Sequence, residues 1–318
     1  MSDSVDIARE IKQKALELGF SECGFAVVGS LKDFEAQYRE WLSSGKAGEM
    51  NYLARNIDVR LDPGKLVEGA KTIISLAAGY YYPLPLQTPG NPLISRYALG
   101  KDYHLVLKSL GLELLNWIRN ETGPVNGRVF TDSAPVFERE WARRAGIGWI
   151  GKNGCLIIPG QGSWTFLAEI IIDREIQSET VIVTDHCGTC NRCIEACPTH
   201  ALTGDGSMDP RRCISYLTIE HRSHIPDEFR GQWHDWIFGC DICQDVCPWN
   251  KKPEQAALTE FQPQKELVEI NKDFLKNMDA ISFGQLFDES PLVRAGWSGI
   301  LRNFDFLEKD EPETDHTC

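Results

Sequence analysis

Eight of the eleven cysteines in this 318-residue chain lie between positions 187 and 247. Cys187, Cys190, Cys193 and Cys197 are separated by two, two and three residues, and Pro198 follows the last. That run is the bacterial two-cluster ferredoxin pattern, in which three thiolates hold one four-iron cluster and the fourth crosses to the other. Cys240, Cys243 and Cys247 with Pro248 repeat its later half, and Cys213 stands ahead of them in the place of the missing first cysteine, displaced by an insertion. Pseudo-symmetry then assigns Cys187, Cys190, Cys193 and Cys247 to one 4Fe-4S cluster, and Cys197, Cys213, Cys240 and Cys243 to the second. A pair of zinc sites or buried free thiols are the rival readings. Zinc prefers two separated cysteine pairs and has no use for a third cysteine two residues on or for trailing prolines. Cys23, Cys155 and Cys318 fall outside the pattern and read as small buried or terminal residues. Two clusters move single electrons without choosing a substrate, so the preceding residues must supply the chemistry.

Those residues read as an alternation of helical and extended segments. Ile7, Ile11, Ala15 and Leu18 recur at helical spacing, Cys23 to Val28 reads as a strand, and Asp33 to Ser44 as a second helix. A buried strand is expected over 72–78, then a long amphipathic helix over 102–120 and a strand over 128–131. A helix starting at Pro135 and a strand pair, 155–158 with 164–172, joined through Gly160 and Gly162, complete the reading. Regular periodicity stops near Asp185. The predicted organisation is a catalytic domain over 1–184, a cysteine-rich domain over 185–252, a short helical appendix over 253–306 and an acidic tail over 307–318, expected to be disordered.

With 33 basic and 46 acidic residues the net charge is −13, which by itself counts against a nucleic-acid partner. The argument is weakened by the last fourteen residues, where six acids face one lysine. The N-terminus lacks the basic-then-apolar order of a signal peptide, and no apolar run approaches the roughly 18 residues of a membrane span. A cytoplasmic protein with no membrane partner is expected. In that reducing compartment, clustered cysteines hold metal rather than pair.

Asp132 ends a strand just before a helical segment. Such a residue is either an N-cap or a desolvated carboxyl aimed into a cleft. The glycines at 146, 148, 151 and 154 would let backbone amides approach a phosphate or an amide-bearing cofactor. No Gly-x-Gly-x-x-Gly opens a helix, so a dinucleotide is not indicated.

The segments Ser95 to His104, Thr131 to Arg139, Ala145 to Asn153, Gly162 to Leu167, Arg212 to Thr218 and Gly239 to Asp241 together resemble the epoxyqueuosine reductase family, and the resemblance runs from the N-terminus to about Asn303. It implies an α+β fold: a nitroreductase-like cobalamin-binding domain followed by a ferredoxin-like module. It also implies reduction of epoxyqueuosine to queuosine at the wobble base of tRNA, with cobalamin beside the two clusters and an external electron donor. By position in the matched segments, the cobalamin contacts are Arg55, Ser95, Asp132, Phe137, Lys152, Asn153, Leu156, Leu167, Ser215 and Asp241. Asp132 becomes the proton donor, a role for which a raised pKa would suit a carboxyl. The histidine-ligated corrinoid signal Asp-x-His-x-x-Gly fails here, because Leu107 follows Asp102-Tyr103-His104 where glycine is needed; the family also lacks that ligand. Many relatives continue into helical repeats, absent here; basic residues that could meet phosphate remain at Arg139, Arg143, Arg144, Arg211, Arg212, Arg222 and Arg230, with a solvated face as the default reading of such scatter. The chain is expected to act as a monomer. The rivals are a corrinoid reductive dehalogenase, which usually carries a twin-arginine signal not found here, and a plain ferredoxin-type carrier, which leaves the first 184 residues unexplained.

Overall fold

The computed structural model describes residues 2–85 and 88–308. Its strands are β1 (Glu22–Val27), β2 (Thr72–Gly79), β3 (Leu93–Ile94), β4 (Gly127–Phe130), β5 (Trp149–Ile150), β6 (Leu156–Ile157), β7 (Thr165–Ile172) and β8 (Trp236–Phe238). The helices that matter to the site are α1 (Ser2–Glu17), α2 (Lys32–Ser43), α3 (Ile57–Leu61), α4 (Tyr103–Thr122), α5 (Glu138–Arg144), α6 (Arg192–Ala196), α7 (Ile214–Ile219) and α8 (Ile242–Asp245). Beyond them, α9 (Lys265–Val268), α10 (Lys272–Lys276), α11 (Ala280–Phe287) and α12 (Gly296–Glu308) follow.

The main sheet has the order β1-β2-β7-β4, with every neighbouring pair antiparallel. Its two central strands are buried on both faces, which explains their near-continuous apolar sequences. Because successive side chains alternate across a strand, Ile74, Leu76, Ile170 and Ile172 face α1 and α4, while Ile73, Ala77, Leu167 and Ile171 face α5. The fold is therefore α+β with helices on both faces. Asp102 caps α4 by accepting a hydrogen bond from the His104 N–H at 2.9 Å, which sets where that helix begins.

Two expectations are corrected. The helix predicted from Pro135 begins at Glu138, because residues 131–137 form a loop in which Asp132 adopts a left-handed φ of 51°. The predicted hairpin does not form either. β6 pairs with β5, and β7 pairs with β2 and β4, leaving only a bridge between Ile158 and Gly162. Contacts between distant strands outweighed the local glycine turn.

The 184/185 boundary is crossed by real structure: β3 pairs in parallel with β8. Residues 253–306 pack back on both parts, with Leu267, Phe283, Phe287, Ile300 and Phe304 joining Ile94, Leu99, Ile237 and Phe238 in one core. Buried Asn303 donates to the carbonyls of Thr218 and Ile237, both at 2.8 Å, and orphaning such groups costs about 1–3 kcal/mol each. Of the predicted tail, Leu307 and Glu308 complete α12, and Glu308 pairs with Lys272 and Lys276; residues 309–318 lie outside the described residues.

Candidate functional site

Two short helices that follow cysteine-rich loops, α6 and α8, pack together and bring the thiols into two groups. A cavity of about 370 Å³ is lined by Cys187, Cys190, Cys193 and Cys247, with Lys152, Asn153, His186 and Trp249 at its walls. These four are the quartet that pseudo-symmetry proposes. In the second group, Cys240 lies within electrostatic reach of Cys213 and Cys197, and Cys243 within reach of Cys213 and Cys240. Burial pushes the thiols of Cys193, Cys213, Cys240, Cys243 and Cys247 above their ordinary range, so thiolates there need a compensating cation. Iron supplies one, and the donor set fits it. Among the described residues no three His, Cys, Asp or Glu side chains converge closely enough to share a single ion; a four-iron cluster asks for no such convergence, because its thiolates occupy separate corners.

The second cluster group touches the catalytic half through Asp241, which sits between Cys240 and Cys243. Its buried carboxylate accepts from Ser95 Oγ at 2.5 Å and from the Arg96 N–H at 2.8 Å. Desolvation pushes it up to about 6, against those two hydrogen bonds. Gly239, at φ 70°, makes the approach possible, since a Cβ there would collide with Ser95.

Tyr97 lies within electrostatic reach of both Asp241 and Asp132, and Asp132 stands in the 131–137 loop. It is not an N-cap: α5 starts six residues later, and no N–H of that helix bonds to its side chain. Its Oδ2 accepts from Tyr103 Oη and faces His104 Nε2, each at 3.0 Å, and His104 Nδ1 lies 2.7 Å from Asp102 Oδ1. The side chain is 57% exposed. Desolvation raises its pKa, but the hydrogen bond and charge of His104, the Tyr103 hydroxyl and the charge of Arg294 outweigh it and hold the carboxyl below its usual range. The expectation of a raised pKa at Asp132 is thus wrong, because sequence could not place an imidazole against it. The proton sits instead on His104, where burial is overcome by Asp102 and Asp132 and the pKa rises to about 9. His104, Tyr103 and Arg294 are the site residues that sequence reasoning missed. The available signal was a histidine in the first turn of the long helix, read only as a failed ligand motif.

Asn153 is buried with Nδ2 lacking any partner, and Lys152 Nζ bonds Gly188 O at 2.8 Å and Asn191 Oδ1 at 2.9 Å, beside the first quartet. Leu156 and Leu167 pack in the core facing α5, and Phe137 stacks edge-on against Phe34 and Tyr38. Ser215 is half-buried on α7, and Arg55 is exposed at the end of the 51–54 turn. The seven arginines that could meet phosphate are all engaged internally. Arg143 and Arg144 hold Glu140, Arg211 holds Asp209, and Arg230 holds Asp227. Arg139, Arg212 and Arg222 donate to the carbonyls of Gly154, Thr199 and Ala295. Four of these are local pairs between residues two to four positions apart, and the three carbonyl contacts join residues 13 or more positions apart.

Residues 186–250 match a family described as 4Fe-4S double cluster binding domain, and residues 60–133 match one described as Epoxyqueuosine reductase QueG, DUF1730. An epoxyqueuosine reductase of Cyclobacterium marinum is 44% identical over 301 residues, covering 94% of this chain and 96% of that one. A crystal structure of epoxyqueuosine reductase with an epoxyqueuosine-modified tyrosine tRNA stem loop superimposes with a TM-score of 0.88 at 28% identity, covering 96% of this chain and 81% of the other. The enzyme from Bacillus subtilis, in a structure whose catalytic aspartate loop is swung out of the active site, gives a TM-score of 0.86 at 28% identity with the same coverage. Likeness of this extent, spanning both the cysteine groups and the Asp132 loop, means that the chain belongs to the epoxyqueuosine reductase family.

Proposed function

We propose that this chain reduces epoxyqueuosine to queuosine at the wobble position of tRNA, using two 4Fe-4S clusters and cobalamin. The observation that carries the reading is the Ser95–Asp241 junction, a buried hydrogen bond that ties the second cysteine group to the first half of the chain. The stem-loop complex of the relative supports tRNA as the substrate carrier. Within this reading, residues 1–184 form a nitroreductase-like catalytic domain, 185–252 the ferredoxin-like module and 253–306 its helical support. Cys187, Cys190, Cys193 and Cys247 hold one cluster, and Cys197, Cys213, Cys240 and Cys243 the other. The protein works as a cytoplasmic monomer fed by an external electron donor; no helix among the described residues is long and apolar enough to cross a membrane.

Cobalamin would be held by Arg55, Ser95, Asp132, Phe137, Lys152, Asn153, Leu156, Leu167, Ser215 and Asp241. The orphaned Asn153 amide fits a group rimmed with amide carbonyls, which would supply its missing acceptor. When bound, cobalamin supplies a strongly reducing metal centre. The chain's own residues then manage the proton. Opening the epoxide leaves an alkoxide to be protonated, and release of that oxygen as water takes two protons and two electrons in all. His104 stores one such proton as imidazolium, Asp132 orients it and passes it toward the substrate, and Tyr103 fixes the Asp132 carboxylate. The loop that carries Asp132 corresponds in this reading to the mobile catalytic loop of the Bacillus subtilis relative.

Anaerobically purified protein is expected to contain about eight iron atoms per chain and to bind cobalamin without an axial histidine. Both His104 nitrogens face carboxylates, leaving neither for cobalt. Electron paramagnetic resonance of the cob(II)alamin form checks this. Zinc in place of iron, or nitrogen splitting from an axial imidazole, would contradict the assignment.

A further inference from the structure

Beneath the Asp132 loop lies a second pair of acids that the proton path above does not use. Glu169 is fully buried in the middle of β7, directly opposite Ser75 of β2 and paired in register with Phe130 of β4. Its Oε1 accepts from Ser75 Oγ at 3.3 Å, while Oε2 has no donor facing it. Glu138 is the half-buried first residue of α5, the helix that packs on this face of the sheet, and its Oε1 accepts the backbone N–H of Asp132. Burial and then the charge of Asp132 push the Glu138 carboxyl up; burial and then the charge of Glu138 push Glu169 up. The other charged groups facing Glu138 are Arg139 and His104, and neither forms a hydrogen bond with it. Two carboxylates cannot hydrogen-bond to each other, but a carboxyl and a carboxylate can, and two acids in one buried site keep a proton between them.

We propose that Glu138 and Glu169 share a single proton and act together as positioning residues: the bond between them locks Glu138 so that its other oxygen anchors the Asp132 backbone. The anchor is needed because Asp132 is a non-glycine residue in the left-handed region, a conformation that surrounding contacts must impose. Held there, its carboxylate meets His104 and Tyr103. The proposal rests on the reductase reading only for the meaning of turnover; the shared proton exists with or without substrate.

The test is infrared spectroscopy of the resting, cofactor-loaded protein in H₂O and D₂O near neutral pH, with His104 titration by NMR and single-turnover reduction alongside. A deuterium-sensitive stretch of a protonated carboxyl is expected, and Glu169→Gln should abolish it. The Gln amide can still donate to Glu138, whereas Glu169→Leu cannot. Accordingly, Glu169→Leu is expected to lose roughly 10-fold or more in turnover and to let the His104 pKa fall, and Glu169→Gln to recover most of both. If Glu169→Leu does not fold, the band and its loss in Glu169→Gln still decide. Absence of the band in the wild type, its survival in Glu169→Gln, or equal turnover and His104 titration in the Gln and Leu variants would overturn the proposal. Failure of the wild type to reduce epoxyqueuosine, with the band present, would instead count against the reductase reading.

Discussion

Turnover of the Asp132→Asn variant is expected to fall by roughly 10²–10⁴-fold while iron and cobalamin stay bound, the range typical for loss of a positioned proton-transfer group. Asparagine tolerates the left-handed backbone that Asp132 occupies, so the loop should keep its course. What disappears is a negative charge 3.0 Å from His104 Nε2. The imidazolium then keeps only Asp102 as a partner, and its pKa should drop from about 9 toward the ordinary histidine value. The pH dependence follows with a definite sign. In the wild type the imidazolium persists through neutrality and is lost as pH rises through about 9, so reduction should decline there; in Asp132→Asn the decline should begin at lower pH. Single-turnover kinetics at several pH values, with cofactor occupancy checked in each sample, measure both effects. Near-normal turnover by a fully loaded variant would remove Asp132 from the proton path.

The second large effect concerns Cys213, the ligand displaced from its motif. Cys213→Ser is expected to lower iron from about eight to about four atoms per chain and to leave the quartet around Cys187 in place. Reduction should fall to background, since the group beside Asp241 is the one tied to the first half of the chain. Cys155 lies within electrostatic reach of both Cys213 and Cys247 and could substitute as a ligand. Burial holds its thiol up at about 11, so a bare thiolate there is unfavourable, and the double variant with Cys155→Ser closes the route. Full iron content in that double variant would show that Cys213 is not a ligand.

The cysteine groups were legible in the sequence because cluster ligation demands fixed short spacings, and a spacing survives translation into one dimension. The start of α4 was legible for a similar reason: Asp102 acts on residues two positions away. Sequence could not show that Asp132 lies against His104, since residues 28 positions apart meet only once β4 and α4 have packed together. The error in the Asp132 pKa follows directly, for burial was foreseen and its cationic partner was not. The carbonyl partners of Arg139, Arg212 and Arg222, 13 or more residues away, were hidden for the same reason. Glu169 was passed over because a buried acid in an apolar strand carries no local signal beyond its being out of place, and Glu138 because an acid in the first turn of a helix is ordinary.

The most direct measurement is mass spectrometry of a tRNA anticodon stem loop carrying epoxyqueuosine after anaerobic incubation with the chemically reduced, cobalamin-loaded protein. The expected result is loss of one oxygen atom from the modified base in a single turnover, dependent on both cobalamin and the iron-sulfur clusters. An unchanged modified base, from protein with full iron and cobalamin occupancy, would contradict the proposed function.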